Sequence, residues 1–338
     1  MKDSRLKFAL ELFVPVLILV IYYLVADPFM FVRHNKPFHP IHGVTFEDRN
    51  RDFVSACTFD NYNDSVHYNS FILGNSRSRY YLVEDWKKHL DSDAVCLHFD
   101  ASNETLNGIL LKLRYADKKA KIQNVLLVLD TFILSEANSN YNSYIFHPAP
   151  QTTEENDWVR FQLNGFKTFC APKFLFAYTD LLLFGEVRQY MKNWKVFTLD
   201  VRDYNVISNE STFPDKEKQI QNGTYYDSNK MKKWFKRINT QETIAPQCIH
   251  ELQLQKLSEI SQILHQKGIN YKVIISPGYD QEKLNPKDFI ILNDLFGQQN
   301  VFDFSGKNGI TENYQNYYDI SHYRPHVTSY ILDSIYNE

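Results

Sequence analysis

The chain has little cysteine, no excess of charge of one sign and no internal repeat or low-complexity tract. Its four cysteines, Cys57, Cys96, Cys170 and Cys248, fall in no Cys-x-x-Cys or metal-ligand spacing. That removes the zinc-site and dithiol redox classes. In an oxidising compartment one or two disulfides among them are open, and sequence cannot pair them. Cys96 lies in an apolar strand pattern and reads as a core residue. The net charge of -3 over 338 residues gives no electrostatic footprint for nucleic acid. With 43% hydrophobic and 23% charged residues, the chain can bury a sizeable core. It needs neither metal nor disulfide to fold. Tyrosine and phenylalanine are abundant, at 22 and 25. Most belong in core and strands, and exposed ones can stack on sugars.

A small-x-small cleavage site is also missing. Leu12 to Ala26 runs without a charge, and the apolar stretch reaches back to Phe8 if Glu11 is tolerated. That is about the length of a membrane span. Lys2, Arg5 and Lys7 precede it, which puts the N-terminus in the cytoplasm by the positive-inside rule. Val25-Ala26-Asp27-Pro28 is a poor cleavage sequence, so the run reads as a signal anchor rather than a cleaved leader. The expected organisation is a cytoplasmic tip and transmembrane anchor over 1–27, then a Pro-, His- and Asn-bearing linker and lead-in over 28–68. An α/β domain over 69–338 follows, on the far side of the membrane, periplasmic or extracellular.

Within that domain short apolar strands alternate with helical patterns. Strands are expected at Ser70–Leu73, Ala94–Phe99, Val125–Leu129, Tyr271–Ile275 and Val301–Phe304. Helices are expected at Ser78–Leu90, Glu104–Tyr115, Glu251–Gln266 (stopped by Gly268), from Pro286 to near Gly297, and at His326–Tyr336 behind Pro325. Strands that are apolar throughout and separated by helices predict a three-layer, doubly wound parallel sheet of flavodoxin-like type. Such sheets gather ligands at the carboxyl ends of their strands, where Ser76, Asp130 and Ser276 all fall. A long interruption, about 134–246, is rich in Asn, Tyr and Phe and carries one helical stretch at Thr179–Trp194. It is too long for a crossover. It reads either as an insertion shaping access for a large substrate or as a small structural subdomain.

Two short motifs carry the chemistry. Ser76 follows a buried strand and precedes a helix, where backbone N–H groups can bind a developing oxyanion. Asp319 and His322 stand three apart just before the last helix. A serine hydroxyl needs an imidazole to take its proton, and the imidazole needs a partner to fix its tautomer. Arg77 can bind an acidic or phosphorylated acceptor, orient the loop, or form a salt bridge at the sheet edge. His326 lies four residues past His322, but no acidic third metal ligand is evident.

The segments FILGNSRSRYY (71–81) and YYDISHYRPHV (317–327) resemble the SGNH (GDSL-like) hydrolase superfamily. The anchored N-terminus and large insertion resemble its extracytoplasmic branch, the polysaccharide O-acetyltransferases related to alginate acetylation and the DltD-like proteins. The resemblance spans about Ser70 to the C-terminus in order and spacing, with only the two end blocks specific. It implies Ser76 as nucleophile, His322 as base and Asp319 as its orienter, with no metal or organic cofactor. The implied activity is a membrane-anchored serine esterase or O-acyltransferase, acting with acetyl on a cell-surface or secreted glycan. The resemblance also implies a multispanning acyl-donor membrane protein as partner. The chain departs from the family in three places. Asn75 stands where an Asp is usual. The second block reads Asp100-Ala101-Ser102-Asn103 without the usual Gly, leaving the Ser102 backbone or the Asn103 amide as oxyanion donor. The third block reads Leu129-Asp130-Thr131, without the usual Asn. These departures keep open a second reading, a non-catalytic glycan-binding or assembly factor of the same fold.

Overall fold

A computed structural model describes residues 2–34, 49–196, 203–236 and 241–337. Side chains up to Leu10 and those of Leu12 and Lys230 lie outside the described set, as do 35–48 of the expected linker. At its centre is a parallel five-stranded sheet: β1 (Ser70–Gly74), β2 (Cys96–His98), β3 (Asn124–Leu129), β4 (Asn270–Ile275) and β5 (Val301–Asp303). Their spatial order is β2-β1-β3-β4-β5, all neighbours parallel. Chain progress reverses between β1 and β3, because β2 lies to one side of β1 and every later strand to the other.

The continuous apolar strands are explained by two cores, one on each face. Phe71 and Leu73 enter one core while Ile72 enters the other; Val125, Leu127 and Leu129 alternate likewise with Leu126 and Val128. A strand alternates its side chains between faces, so an apolar run demands cover on both. Helices Leu106–Lys119 and Glu251–Gln266 cover the first face, and Pro325–Tyr336 the second. Gly268, at φ +62°, follows the end of Glu251–Gln266, as its sequence pattern predicts.

Three expectations are corrected. The lead-in is no linker where it is described: Arg51–Val66 is a helix capped by Asn50, with nine buried residues. Its polar residues hid it, because Arg51 is buried on Asp100 and Asp52 on Lys112, leaving no clean apolar stripe. Phe29 and Phe31 are also core residues. The expected helix Ser78–Leu90 is broken into a 3-10 turn, Ser78–Tyr80, and a helix Val83–Lys87, with Leu82 extended between them. The stretch Thr179–Trp194 is divided at Gly185 (φ +72°) between helices Pro172–Phe184 and Gln189–Trp194. The four cysteines are unpaired, and Cys96 is buried in β2 as expected.

The insertion serves both faces. Helices Trp158–Phe169 and Pro172–Phe184 contribute Phe161, Phe169 and Tyr178 to the first core, while Phe213 and Tyr225 enter the second. The N-terminal helix spans Lys2–Ala26 and packs its last turns on Trp158–Phe169. Among the described residues no helix is long and apolar enough to cross a membrane.

Candidate functional site

The carboxyl ends of β1 and β3 flank the point where the strand order reverses, the place where open α/β sheets bind ligands. β1 ends at Gly74, whose φ is +153° and whose missing side chain matters. A Cβ there would stand 2.5 Å from the Val128 carbonyl oxygen of β3. The next residues form a tight turn. Asn75 Oδ1 accepts from the Arg77 N–H at 3.0 Å, and its carbonyl accepts from both the Ser78 N–H (2.9 Å) and the Ser78 hydroxyl (2.7 Å). These bonds divert the chain from the expected helix and lift Ser76 onto the turn.

Ser76 Oγ lies 2.9 Å from His322 Nε2, and His322 Nδ1 lies 3.0 Å from each Asp319 carboxylate oxygen. The arrangement fixes the tautomer: Nδ1–H donates to the carboxylate, leaving Nε2 to accept from the serine. Burial pushes the Asp319 carboxyl up. The bonds from the His322 ring and from the Ser321 and His322 N–H groups outweigh it and hold the carboxyl below its ordinary range. Asp319 therefore stays ionised and keeps the ring oriented. Both side chains are 27% exposed, so the site is reachable from solvent.

The loop carrying His322 is braced on several sides, which no short motif signals. Tyr318 N–H donates to the His322 carbonyl at 2.8 Å, closing the loop on itself. Tyr317 Oη donates to the Pro277 carbonyl (3.2 Å), and Tyr323 Oη meets Ser276 Oγ (3.3 Å), tying the loop to the end of β4. Ser276 is thus a brace. From the insertion, Glu217 takes Arg324 Nε at 3.0 Å and the Tyr318 hydroxyl at 2.5 Å. Tyr225 and Tyr226 donate to the carbonyls of Tyr318 and Tyr317, each at 2.8 Å.

Arg77 joins the two halves. Its Nε donates to the Ser321 carbonyl at 2.9 Å and its Nη1 pairs with Asp130. Of the alternatives left open by sequence, loop orientation and the edge salt bridge are both present in this geometry. Asp130 also caps helix Thr131–Ser135, accepting from Ile133 N–H at 2.8 Å, and takes Asn75 Nδ2 at 2.6 Å. Asn75 and Asp130 therefore face one another. Asp130 only accepts here and supplies no oxyanion donor.

Ser102 and Asn103 lie on the loop after β2. The Ala101 N–H donates to the Gly74 carbonyl at 3.2 Å, which seats that loop against the Ser76 turn. Ser102 Oγ accepts from Arg79 Nη2 at 2.8 Å, and Asn103 is exposed with φ +49°. Both line a cavity of about 250 Å³ with Phe132, Asn138 and Ser139. Beneath the loop, buried Asp100 pairs with Arg51 and Arg79. His326 is turned to Asn316, at 2.9 Å. Among the described residues no group of three or more His, Cys, Asp or Glu is placed to hold a metal.

Against models of known families, curated proteins and solved structures, the chain has no match.

Proposed function

We propose that the protein is an SGNH-like serine esterase or O-acyltransferase, anchored by its N-terminal helix, whose flavodoxin-like domain works outside the cytoplasm on a cell-surface or secreted glycan. The observation that carries this reading is the chain of hydrogen bonds from Ser76 through His322 to Asp319 at the strand-order reversal. Residues 246 apart in sequence meet there in the geometry of a nucleophile, its base and the orienting group.

In this mechanism Ser76 Oγ attacks the ester carbonyl carbon as His322 Nε2 takes its proton. The tetrahedral oxyanion is held by the backbone N–H of Ser76, those of Arg77 and Ser78 being taken by Asn75, and by that of Ser102, with the Asn103 side-chain amide as the other candidate donor. The intermediate collapses, the C–O bond to the departing alcohol breaks, and the alcohol leaves with the proton from His322. Water or a sugar hydroxyl then gives its proton to His322 and attacks the acyl-serine. Ser76 departs, reprotonated. Acetyl is the acyl group we favour, with a multispanning acyl-donor membrane protein as the source in the transferase case. No metal or organic cofactor takes part.

Asp130, standing where the family places a donor, favours a second reading: a glycan-binding or assembly factor that keeps the fold without turnover. A fluorophosphonate probe on the full chain separates the two. Covalent labelling that is lost in both Ser76→Ala and His322→Ala supports the enzyme. Labelling indifferent to either change, together with unaltered glycan acetylation in cells carrying Ser76→Ala, excludes it.

A further inference from the structure

The cavity of about 250 Å³ beside the Ser76 turn has an inner and an outer wall. The inner wall is Ala101 to Thr105, on the loop after β2, together with Phe132, on the helix after β3. β1 runs between those two strands, so its carboxyl end, with Ser76, stands between the two parts of that wall. The outer wall is the start of the insertion, with Asn138, Ile145 and Phe146. The cavity lies toward the first face: Leu106, Ile133 and Leu134, adjacent in sequence or one helical turn from its lining, belong to the first core. Tyr317, Tyr318 and Tyr323, from the loop that carries His322, belong to the second. The base and the cavity therefore flank the Ser76 turn from opposite faces. A serine that gives its proton to a base on one side attacks a carbonyl on the other.

The walls are held by the protein itself. The Leu106 and Asn107 N–H groups donate to the Glu136 and Ala137 carbonyls, each at 3.2 Å. Ser139 Oγ meets Thr105 Oγ1 at 3.1 Å. Asn50 Nδ2 donates to the carbonyls of Tyr144 (2.9 Å) and His147 (2.7 Å), and Asp52 Oδ1 accepts from the Ala149 N–H at 2.9 Å. Small-molecule sites are usually preformed concavities of this kind, of about 300–1,000 Å³ for drug-sized ligands. The smaller volume here suits one ring rather than a length of chain.

The lining has the chemistry of a sugar site. Phe132 is 40% exposed and offers an apolar ring for stacking. The side-chain amides of Asn103 and Asn138 make no hydrogen bond with the described residues. Their donors and acceptors are open to hydroxyl groups. The charge is of one sign. Asp52, Glu104 and Glu136 line the cavity, and no Lys or Arg among the described residues does. Lys112, beneath it, is wholly buried and taken up by Asp52 (2.9 Å) and Glu104. No positive charge is left for a ligand, and exposed Glu136 adds a negative one. A carboxylate or phosphate on the ligand would meet that field unpaired.

We infer that this cavity holds one sugar ring of the glycan next to the reacting ester, and that it selects a ring free of negative charge over a uronate or a phosphorylated sugar. The inference rests on the serine-enzyme reading proposed above.

The test labels the full chain with fluorophosphonates that carry an ethyl, glucosyl, mannosyl or glucuronosyl group, and follows the rate of Ser76 modification by mass spectrometry. At least one of the two neutral sugar probes should outpace the ethyl probe, and should react at least about tenfold faster than the glucuronosyl probe. Glu136→Lys should cut the neutral-over-glucuronosyl preference at least about fivefold. Phe132→Ala should cut the sugar-over-ethyl ratio at least about fivefold. Each variant is its own reference, so a general loss of folding or reactivity does not move these ratios. Equal rates for all four probes, a preference for the glucuronosyl probe, or ratios that either variant leaves unmoved overturn the inference and leave the serine enzyme standing. No modification of Ser76 by any of the four overturns the enzyme reading, and the inference with it.

Discussion

Asn75 donates to Asp130 beneath the Ser76 turn, which makes a direct test of how that turn is held. Asn75→Asp places a second carboxyl 2.6 Å from Asp130. At an effective dielectric of about 20 the repulsion would approach 6 kcal/mol. Protonating the introduced carboxyl sets a lower ceiling. Keeping a group of ordinary pKa about 3.9 neutral at pH 7 costs about 4 kcal/mol. Arg77, paired with Asp130, offsets part of this, so about 2–4 kcal/mol of destabilisation is expected. Once protonated, the new O–H can donate to Asp130 as Asn75 Nδ2 does. The cost should therefore shrink as pH falls, by about 1.4 kcal/mol per unit. Asp130→Asn leaves the half-buried Arg77 unpaired and should cost about 1–3 kcal/mol. The double exchange, Asn75→Asp with Asp130→Asn, restores one donor, one acceptor and one negative charge beside Arg77. Urea unfolding of the four proteins, followed by tryptophan fluorescence, measures the cycle. The double variant should be more stable than the summed singles predict by about 2 kcal/mol. Additivity to within about 0.5 kcal/mol would refute the reasoning.

Other expectations follow from the same contacts. Asp319→Asn should lower probe reactivity at Ser76 by several powers of ten with little effect on unfolding, because the ring loses its tautomer rather than its packing; equal reactivity would remove Asp319 from the machinery. Burial pushes the Glu217 carboxyl up, but its bonds from Arg324 and Tyr318 hold it below its ordinary range. Its brace is therefore complete above about pH 4.3 and is lost as pH falls through the lower folded value. Glu217→Gln should cost only about 1 kcal/mol of stability, yet slow Ser76 labelling at neutral pH; unchanged labelling would show that the brace is dispensable. Asp100 is raised by burial but held well below the carboxylate range by Arg51 and Arg79. Asp100→Asn should cost about 3–5 kcal/mol in urea unfolding above pH 4, with the difference closing in acid. Gly74→Ala should cost about 1–3 kcal/mol or more through strain against Val128, read as a lowered melting temperature.

What was legible in the sequence is what repeats locally. The five strands announce themselves as apolar runs because each is covered twice, and Glu251–Gln266 shows its stripe and its glycine stop. Ser76, Asp319 and His322 are legible because the serine directly follows an apolar strand and the Asp and His stand three apart before the last helix. The rest depends on partners far away. Arg51–Val66 was unreadable because ion pairs, not an apolar stripe, bury its first turn. Glu217, Tyr225 and Tyr226 carry no pattern of their own and acquire a role only when the chain returns near 317–324. The diversion after Ser78 follows from bonds to the Asn75 carbonyl, which helical periodicity cannot register.

The bracing of the His322 loop by the insertion ties the Ser76–His322–Asp319 geometry to a distant segment. Tyr318, Tyr317 and Arg324 are gripped by residues from 217–226, so that segment shares the aiming of the imidazole with Ser276, Pro277 and Arg77. The segment then works as a clutch. A nick, a ligand or another protein that lifts it would loosen the loop that carries His322 without touching Ser76. The distance between Ser76 Oγ and His322 Nε2 thus depends in part on a segment about a hundred residues before His322.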